Sequence, residues 1–160
     1  MKNLRIIVVS DTHGDYFNFE KVIETQSKAD LFIHLGDGER EADEIADLYP
    51  SKKFLTVSGN CDFGSPSPAS GEIILAGKRI FYTHGHPYQV KYGLTGLIME
   101  ARNRKADIAL YGHTHESYTS YEDGLYIMNP GSLGHPHDGK PTYGVIDLTA
   151  AGIVLNIVGV

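Results

Sequence analysis

Ile108-Ala109-Leu110-Tyr111-Gly112-His113-Thr114-His115 is an apolar run that ends in a glycine and two histidines one residue apart. The apolar half reads as a buried strand and Gly112 as the tight turn that ends it. At that spacing both imidazoles can leave the backbone on one side and approach one small object. Neutral imidazole is among the commonest ligands for divalent cations, so a metal pair fits. Taken alone, such spacing is better read as two polar loop histidines.

Four other apolar runs end the same way. Ile6-Ile7-Val8-Val9 leads into Ser10-Asp11-Thr12-His13, and Leu31-Phe32-Ile33-His34-Leu35 into Gly36-Asp37. Phe54-Leu55-Thr56-Val57 is followed by Ser58-Gly59-Asn60-Cys61-Asp62, and Ile80-Phe81-Tyr82 by Thr83-His84-Gly85-His86. Ligand sites in α/β folds collect beyond the carboxyl ends of strands, so these five ends can share one crevice.

The intervening segments set the fold class. Strand 4–10 is apolar without alternation, as strands buried on both faces are. Phe19, Val22 and Ile23 repeat at helical spacing over 16–27, and Ala42, Ile45, Ala46 and Tyr49 over 39–49. With strands 31–35 and 53–57 this is β-α-β-α-β, a parallel sheet with right-handed crossovers. Residues 64–71 read as a loop, 73–82 as a hairpin, and 87–102 as a helix with Leu94, Leu97, Ile98 and Ala101 on one face. After strand 107–111 the chain is all strand: 117–121, 125–128, 142–148 and 153–158. A β-α-β half followed by a β-rich half suggests two stacked sheets with helices outside. No repeat or linker interrupts residues 1–160, which predicts a single domain.

Composition narrows the function. The chain has 160 residues, 41% hydrophobic, with 20 acidic against 14 basic side chains and a net charge of −6. This argues against a broad nucleic-acid surface. The densest basic cluster, Arg102-Asn103-Arg104-Lys105, sits at a helix C-terminus, where cations complement the dipole. No apolar run approaches the ~20 residues that span a bilayer. The first strand begins at once, leaving no room for a signal peptide, and a single cysteine excludes an internal disulfide framework. A cytoplasmic protein is expected.

The polar clusters supply seven candidate metal ligands: Asp11, His13, Asp37, Asn60, His84, His113 and His115. Two divalent ions ~3.5–4 Å apart can share such a set if one carboxylate bridges them. Two carboxylates against two divalent ions leave the pocket positive inside an acidic protein, a charge that attracts phosphate.

In order and type, Asp11-Thr12-His13, Gly36-Asp37, Gly59-Asn60-Cys61-Asp62, Thr83-His84-Gly85-His86 and Gly112-His113-Thr114-His115 resemble the motifs of the calcineurin-like metallophosphoesterases. Within that superfamily the chain is similar to the small phosphodiesterases of the YfcE type, a branch related to a retromer subunit, and Asn129-Pro130-Gly131-Ser132 matches that branch as well. The resemblance implies a four-layer α/β/β/α sandwich of two stacked mixed sheets. It also implies that Asp11, His13 and His115 hold one metal, that Asn60, His84 and His113 hold the other, and that Asp37 bridges.

The implied activity is metal-dependent phosphodiester hydrolysis by in-line attack of a metal-bridging hydroxide, with Asp37 and Asn60 in the catalytic set. Manganese is the leading ion, with nickel, iron, zinc or magnesium also compatible. The implied partner is a small phosphodiester, aryl or nucleotide-like, with no membrane contact and with homo-oligomers allowed. Alternatives are a phosphomonoesterase, or a metal-bearing scaffold like the retromer relative, which lacks part of the ligand set found complete here.

The superfamily often has histidine where this chain has Cys61, and that histidine protonates the leaving group. A neutral thiol is a poor substitute. Cys61 is therefore expected to be a small packed side chain, and activated aryl diesters to be preferred over alkyl monoesters. His86 is open between a phosphate-contacting or proton-donating catalytic role and a supporting one. His34 is expected to be a hydrogen-bonded core histidine, and His135 and His137 to be solvated loop residues.

Overall fold

The computed structural model describes residues 3–160. Ten strands and three helices follow in the order β1 (Leu4–Val9), α1 (Tyr16–Thr25), β2 (Leu31–His34), α2 (Glu39–Leu48), β3 (Phe54–Thr56), β4 (Ser70–Leu75), β5 (Lys78–Thr83), α3 (Thr95–Asn103), β6 (Ile108–Leu110), β7 (Ser117–Glu122), β8 (Leu125–Pro130), β9 (Thr142–Thr149) and β10 (Gly152–Gly159). They form two five-stranded mixed sheets, ordered β10-β9-β1-β2-β3 and β4-β5-β6-β8-β7. No helix among the described residues is long and apolar enough to cross a membrane.

The unbroken apolar run of β1 explains the layering. Strand side chains alternate between faces, so a run apolar at every position can cover two cores. Ile6 and Val8 enter a core shared with Ile33, Ile80, Ile108, Leu110, Met128 and Ile146, which draws on both sheets. Ile7 and Val9 turn the other way, onto Phe19, Val22 and Ile23 of α1 and Ala42 and Ile45 of α2. On the far side, Phe81, Ala109 and Ile127 meet Leu97 and Ala101 of α3. Each fully buried Val, Ile or Phe among these contributes about 1.5–3 kcal/mol. The result is the expected α/β/β/α sandwich.

Parallel pairing carries the strand ends to one place. β1 pairs in parallel with β2, and β2 with β3. In the second sheet β5, β6 and β8 run parallel. The carboxyl ends of these two groups, and the turns that follow, form one edge of the sandwich.

Two elements differ from the sequence reading. The helix expected over 87–102 begins only at Thr95, after two 3₁₀ turns at His86–Tyr88 and Val90–Tyr92. Gln89 (φ 52°) and Gly93 (φ 126°) are the cause, because their positive φ is incompatible with continuous right-handed helix. Ser70 and Gly71, expected in a loop, start β4. That strand is at a sheet edge, where flanking glycine and proline are tolerated.

Candidate metal centre

The seven candidate ligands come from five separate loops and meet at the shared edge. Backbone hydrogen bonds tie those loops together: Asp11 N–H donates to Gly36 O (3.0 Å), His13 N–H to Asp37 O (3.0 Å) and Gly112 N–H to His84 O (2.8 Å). The sheets approach so closely here that a Cβ at Gly112 would lie 2.1 Å from Ser10 Oγ, so no other residue fits. Asp11, His13, Asp37, His113 and His115 all adopt positive φ, between 43° and 72°. For non-glycine residues this costs roughly 1–2 kcal/mol each, and such strain collects at functional sites.

Among the described residues, three trios offer one donor atom each within 4.8 Å: two hold the candidate ligands, Asp11, His13 and His115, and Asp37, His84 and His113, while a third, His13, Asp37 and Cys61, lies across them. In the first, Asp11 Oδ1 is 3.2 Å from His115 Nε2 and 3.5 Å from His13 Nε2, and those two nitrogens are 3.2 Å apart. In the second, His84 Nε2 lies 3.1 Å from His113 Nδ1, 3.0 Å from Asn60 Oδ1 and 3.3 Å from Asp37 Oδ2. Asp37 Oδ2 is also 3.6 Å from His13 Nε2, which puts this oxygen between the trios.

Proton placement shows what the cage is built to receive. His84 Nδ1 lies 2.7 Å from Leu35 O and His115 Nδ1 lies 2.7 Å from His135 O, and a carbonyl can only accept. Both rings therefore carry their proton on Nδ1 and present a bare Nε2 lone pair inward. Asp11 is fully buried, and its Oδ1 has no hydrogen-bond partner. Its Oδ2 accepts from Ser10 Oγ (2.6 Å) and His113 N–H (3.0 Å). Lone pairs converging without protons between them repel one another unless a cation sits among them. The donors present thus fit divalent metal ions.

Charge interactions agree in the metal-free molecule. Burial raises the Asp11 carboxyl, but without the ions protons taken up on the inward nitrogens of His115 and His13 would bond its Oδ1, which outweighs burial and holds the group well below the usual range. Asp37 is lowered too, since His84 outweighs the burial that opposes it. The Asp11 carboxylate, in reach of a proton on either Nε2, raises His13 and His115. Burial first, then the charges of His84 and Lys91, pushes His113 down to about 4.

Several neighbours differ from expectation. Cys61 is exposed at the rim rather than packed, because its turn places it outside the strand core. Its thiol is raised, by burial first and then by the nearby Asp37 carboxylate. His135 and His137 are exposed, as loop residues are, yet they border the site. The His137 ring centroid is 4.6 Å from that of His115, and the His135 ring centroid is 5.9 Å from that of His13.

His34 does behave as a core histidine. Gly36 N–H donates to its Nδ1 (3.0 Å), its Nε2 lies 3.1 Å from Thr12 Oγ1, and burial lowers it to about 4. His86 is half-buried, 5.4 Å from His84 between ring centroids, and its buried Nδ1 has no partner.

Residues outside the ligand set hold the loops. Asp62 Oδ2 accepts from Asp37 N–H (2.7 Å) and Gly59 N–H (2.8 Å), and its Oδ1 from Gly38 and Glu39 N–H (both 3.1 Å). Ser132 Oγ donates to Asp11 O (2.7 Å), while Asn129 Nδ2 donates to Thr114 Oγ1 (2.9 Å). The positions of these residues were visible in the sequence, but their bracing roles had no sequence signal, since they depend on partners in other loops.

The model of the calcineurin-like phosphoesterase superfamily domain matches residues 4–151. The probable metallophosphoesterase YsnB of Bacillus subtilis is 30% identical, the match covering 83% of this chain and 77% of that one. Phosphodiesterase YfcE of Escherichia coli K12 is 29% identical over 94% of this chain and 91% of its own. A crystal structure of an uncharacterized protein of Streptococcus pneumoniae TIGR4, titled a predicted phosphoesterase, superposes with a TM-score of 0.87 at 29% identity, covering 99% of this chain and 91% of that one. Family match and donor cage lead to one conclusion: the chain belongs to the calcineurin-like phosphoesterase superfamily and is a metal-dependent phosphoester hydrolase.

Proposed function

We propose that the chain is a binuclear phosphodiesterase acting on small diesters with an activated leaving group. One observation carries this reading: Asp37 Oδ2 stands between the two donor trios, 3.3 Å from His84 Nε2 and 3.6 Å from His13 Nε2. Asp11, His13 and His115 would hold one ion, Asn60, His84 and His113 the other, with Asp37 common to both. Mixed oxygen and imidazole donors suit manganese first, with nickel, iron, zinc and magnesium as alternatives. Two ions held there would activate a water for in-line attack at phosphorus and neutralise charge on its oxygens.

The protein's own groups then divide the remaining work. Leu35 O and His135 O fix the tautomers of His84 and His115, so that both present unprotonated Nε2. The Cys61 N–H donates to Asp37 Oδ1 (2.7 Å), which leaves Oδ2 free to face the cage. His86, with an unpartnered Nδ1, is the candidate to hydrogen-bond a phosphate oxygen. The complete ligand set favours catalysis over the scaffold reading.

Metal counting tests the assignment. His113→Ala and His115→Ala are each expected to lose mainly one ion, measured by elemental analysis of protein loaded with manganese. Retention of both ions in both variants refutes the ligand assignment.

The leaving-group expectation has its own test. With no acid supplied by Cys61, wild-type protein should prefer aryl diesters to alkyl monoesters. General acid catalysis is worth about 10²–10⁴-fold, so Cys61→His should raise kcat/KM for alkyl phosphates more than for aryl diesters. Asp62 is committed to four backbone N–H groups and does not orient the new imidazole, which puts the gain near the lower end of that range. An unchanged substrate ratio shows that the proton comes from another group.

A further inference from the structure

The core between the two sheets is left open at the edge away from the metal centre. β1 starts at Leu4 and β2 at Leu31, and Lys53 directly precedes β3, so their amino ends lie together at the end opposite to Asp11, Asp37 and Asn60. A cavity of about 550 Å³ enters the sandwich there. One sheet lines it with Leu4, Ile6 and Leu31, and the other with Ile73 and Leu75 of β4. All five belong to the inter-sheet core: Ile6 and Leu31 are buried, whereas Leu4, Ile73 and Leu75 are only partly covered.

The remaining lining is largely polar. Ser27, Ser51 and Lys53 are exposed there, beside Lys52 and Asp30, which gives two positive charges against one negative in a chain whose net charge is −6. Lys52 Nζ donates to Ser27 O (2.7 Å), which holds one ammonium at the mouth with two N–H donors to spare. Asp30 Oδ2 accepts the Arg5 N–H (2.8 Å) and is engaged by the backbone.

The lining decides what enters. Small-molecule sites of ~300–1,000 Å³ combine apolar walls with a few polar groups that fix orientation. No aromatic side chain lines this cavity, so it has no stacking platform for a planar ring, and its aliphatic walls suit an alkyl chain. The excess of one positive charge at the mouth suits a monoanionic head, and Asp30 opposes a second negative charge on it.

We propose that this cleft binds an aliphatic monocarboxylate of medium chain length, with its tail between the sheets and its carboxylate at Lys52 and Lys53. The site is separate from the metal centre and independent of the phosphodiesterase reading.

Calorimetric titration of manganese-loaded protein with butanoate, hexanoate and octanoate provides the test. Each CH₂ that leaves water for the cleft should tighten binding about three- to fourfold. Octylammonium, with the same tail and the opposite charge, should bind several-fold more weakly than octanoate, and the gap should narrow as salt is added. Lys53→Glu reverses an exposed charge at the mouth and should weaken octanoate several-fold without weakening octylammonium. Ile73→Thr keeps β-branching and strand propensity but removes apolar surface inside, so octanoate should lose more affinity than butanoate. Wild-type manganese content shows that a variant is folded, and either variant suffices if the other is not. Octanoate binding should be unaffected by saturating inorganic phosphate, which occupies the metal centre. Absence of saturable octanoate binding, affinity independent of chain length, or equal affinity for octylammonium overturns the cleft, as does a series unchanged in the folded variants. Octanoate binding that phosphate abolishes places the carboxylate on the metal ions and overturns it too.

Discussion

Asp37→Asn should abolish turnover and cost at least about a hundredfold in affinity for each ion, since outer-shell changes alone cost 10–100-fold. The reason is specific to the way Asp37 is held. Its Oδ1 accepts the Cys61 N–H at 2.7 Å, and its Oδ2 faces His84 and His13. An asparagine retaining the first bond would place its oxygen toward Cys61 and its NH₂ toward the two Nε2 lone pairs. The cage would then contain N–H donors where cations belong, with no charge between the sites.

The metal-free fold should survive, because those donors satisfy lone pairs that otherwise repel. Thermal melts should therefore show a metal-free Tm near that of wild type and little or no upward shift on adding manganese. Near wild-type turnover in Asp37→Asn, with both ions present by elemental analysis, would sink the bridging assignment.

The second large effect is expected at Asp62→Ala. Removing this carboxylate leaves the N–H groups of Asp37, Gly38, Glu39 and Gly59 without their acceptor, two of them at the start of α2. An unpartnered buried donor costs about 1–3 kcal/mol, and water replaces part of the loss at this partly exposed turn. A net loss of about 3 kcal/mol corresponds to a fall in Tm of roughly 10 °C for a chain of this size. Asp62→Asn, with a single accepting oxygen, should fall between the two. The N–H of Asp37 is among the freed groups, so metal affinity should drop as well, although Asp62 lies outside both donor trios. A Tm change of less than ~2 °C in Asp62→Ala would show that the turn is held by other contacts.

Much of this molecule is written in local pattern. The unbroken apolar run of Ile6 to Val9 specifies a strand covered on both faces, and the 3.6-residue spacing of Phe19, Val22 and Ile23 specifies the helix that covers one of them. Such patterns are legible because burial acts on each residue through its own position in the repeat. That the seven candidate donors would gather was legible for a related reason: each follows an apolar run, and the ends of parallel strands lie together.

Tertiary structure alone decided the remainder. The late start of α3 depends on backbone conformation at Gln89 and Gly93, which side-chain periodicity does not report. Cys61 lies in a motif that reads as packed, yet the path of its turn leaves the thiol exposed. Asp62, Asn129 and Ser132 are ordinary polar residues until the fold brings distant N–H, hydroxyl and carbonyl groups to them. His135 and His137 sit in a loop rich in proline and glycine, and only its return across the strand ends sets them against His13 and His115. Hydrophobic periodicity is a property of neighbouring residues in the chain, whereas a hydrogen bond spanning 121 residues, as from Ser132 to Asp11, exists only once the chain has folded.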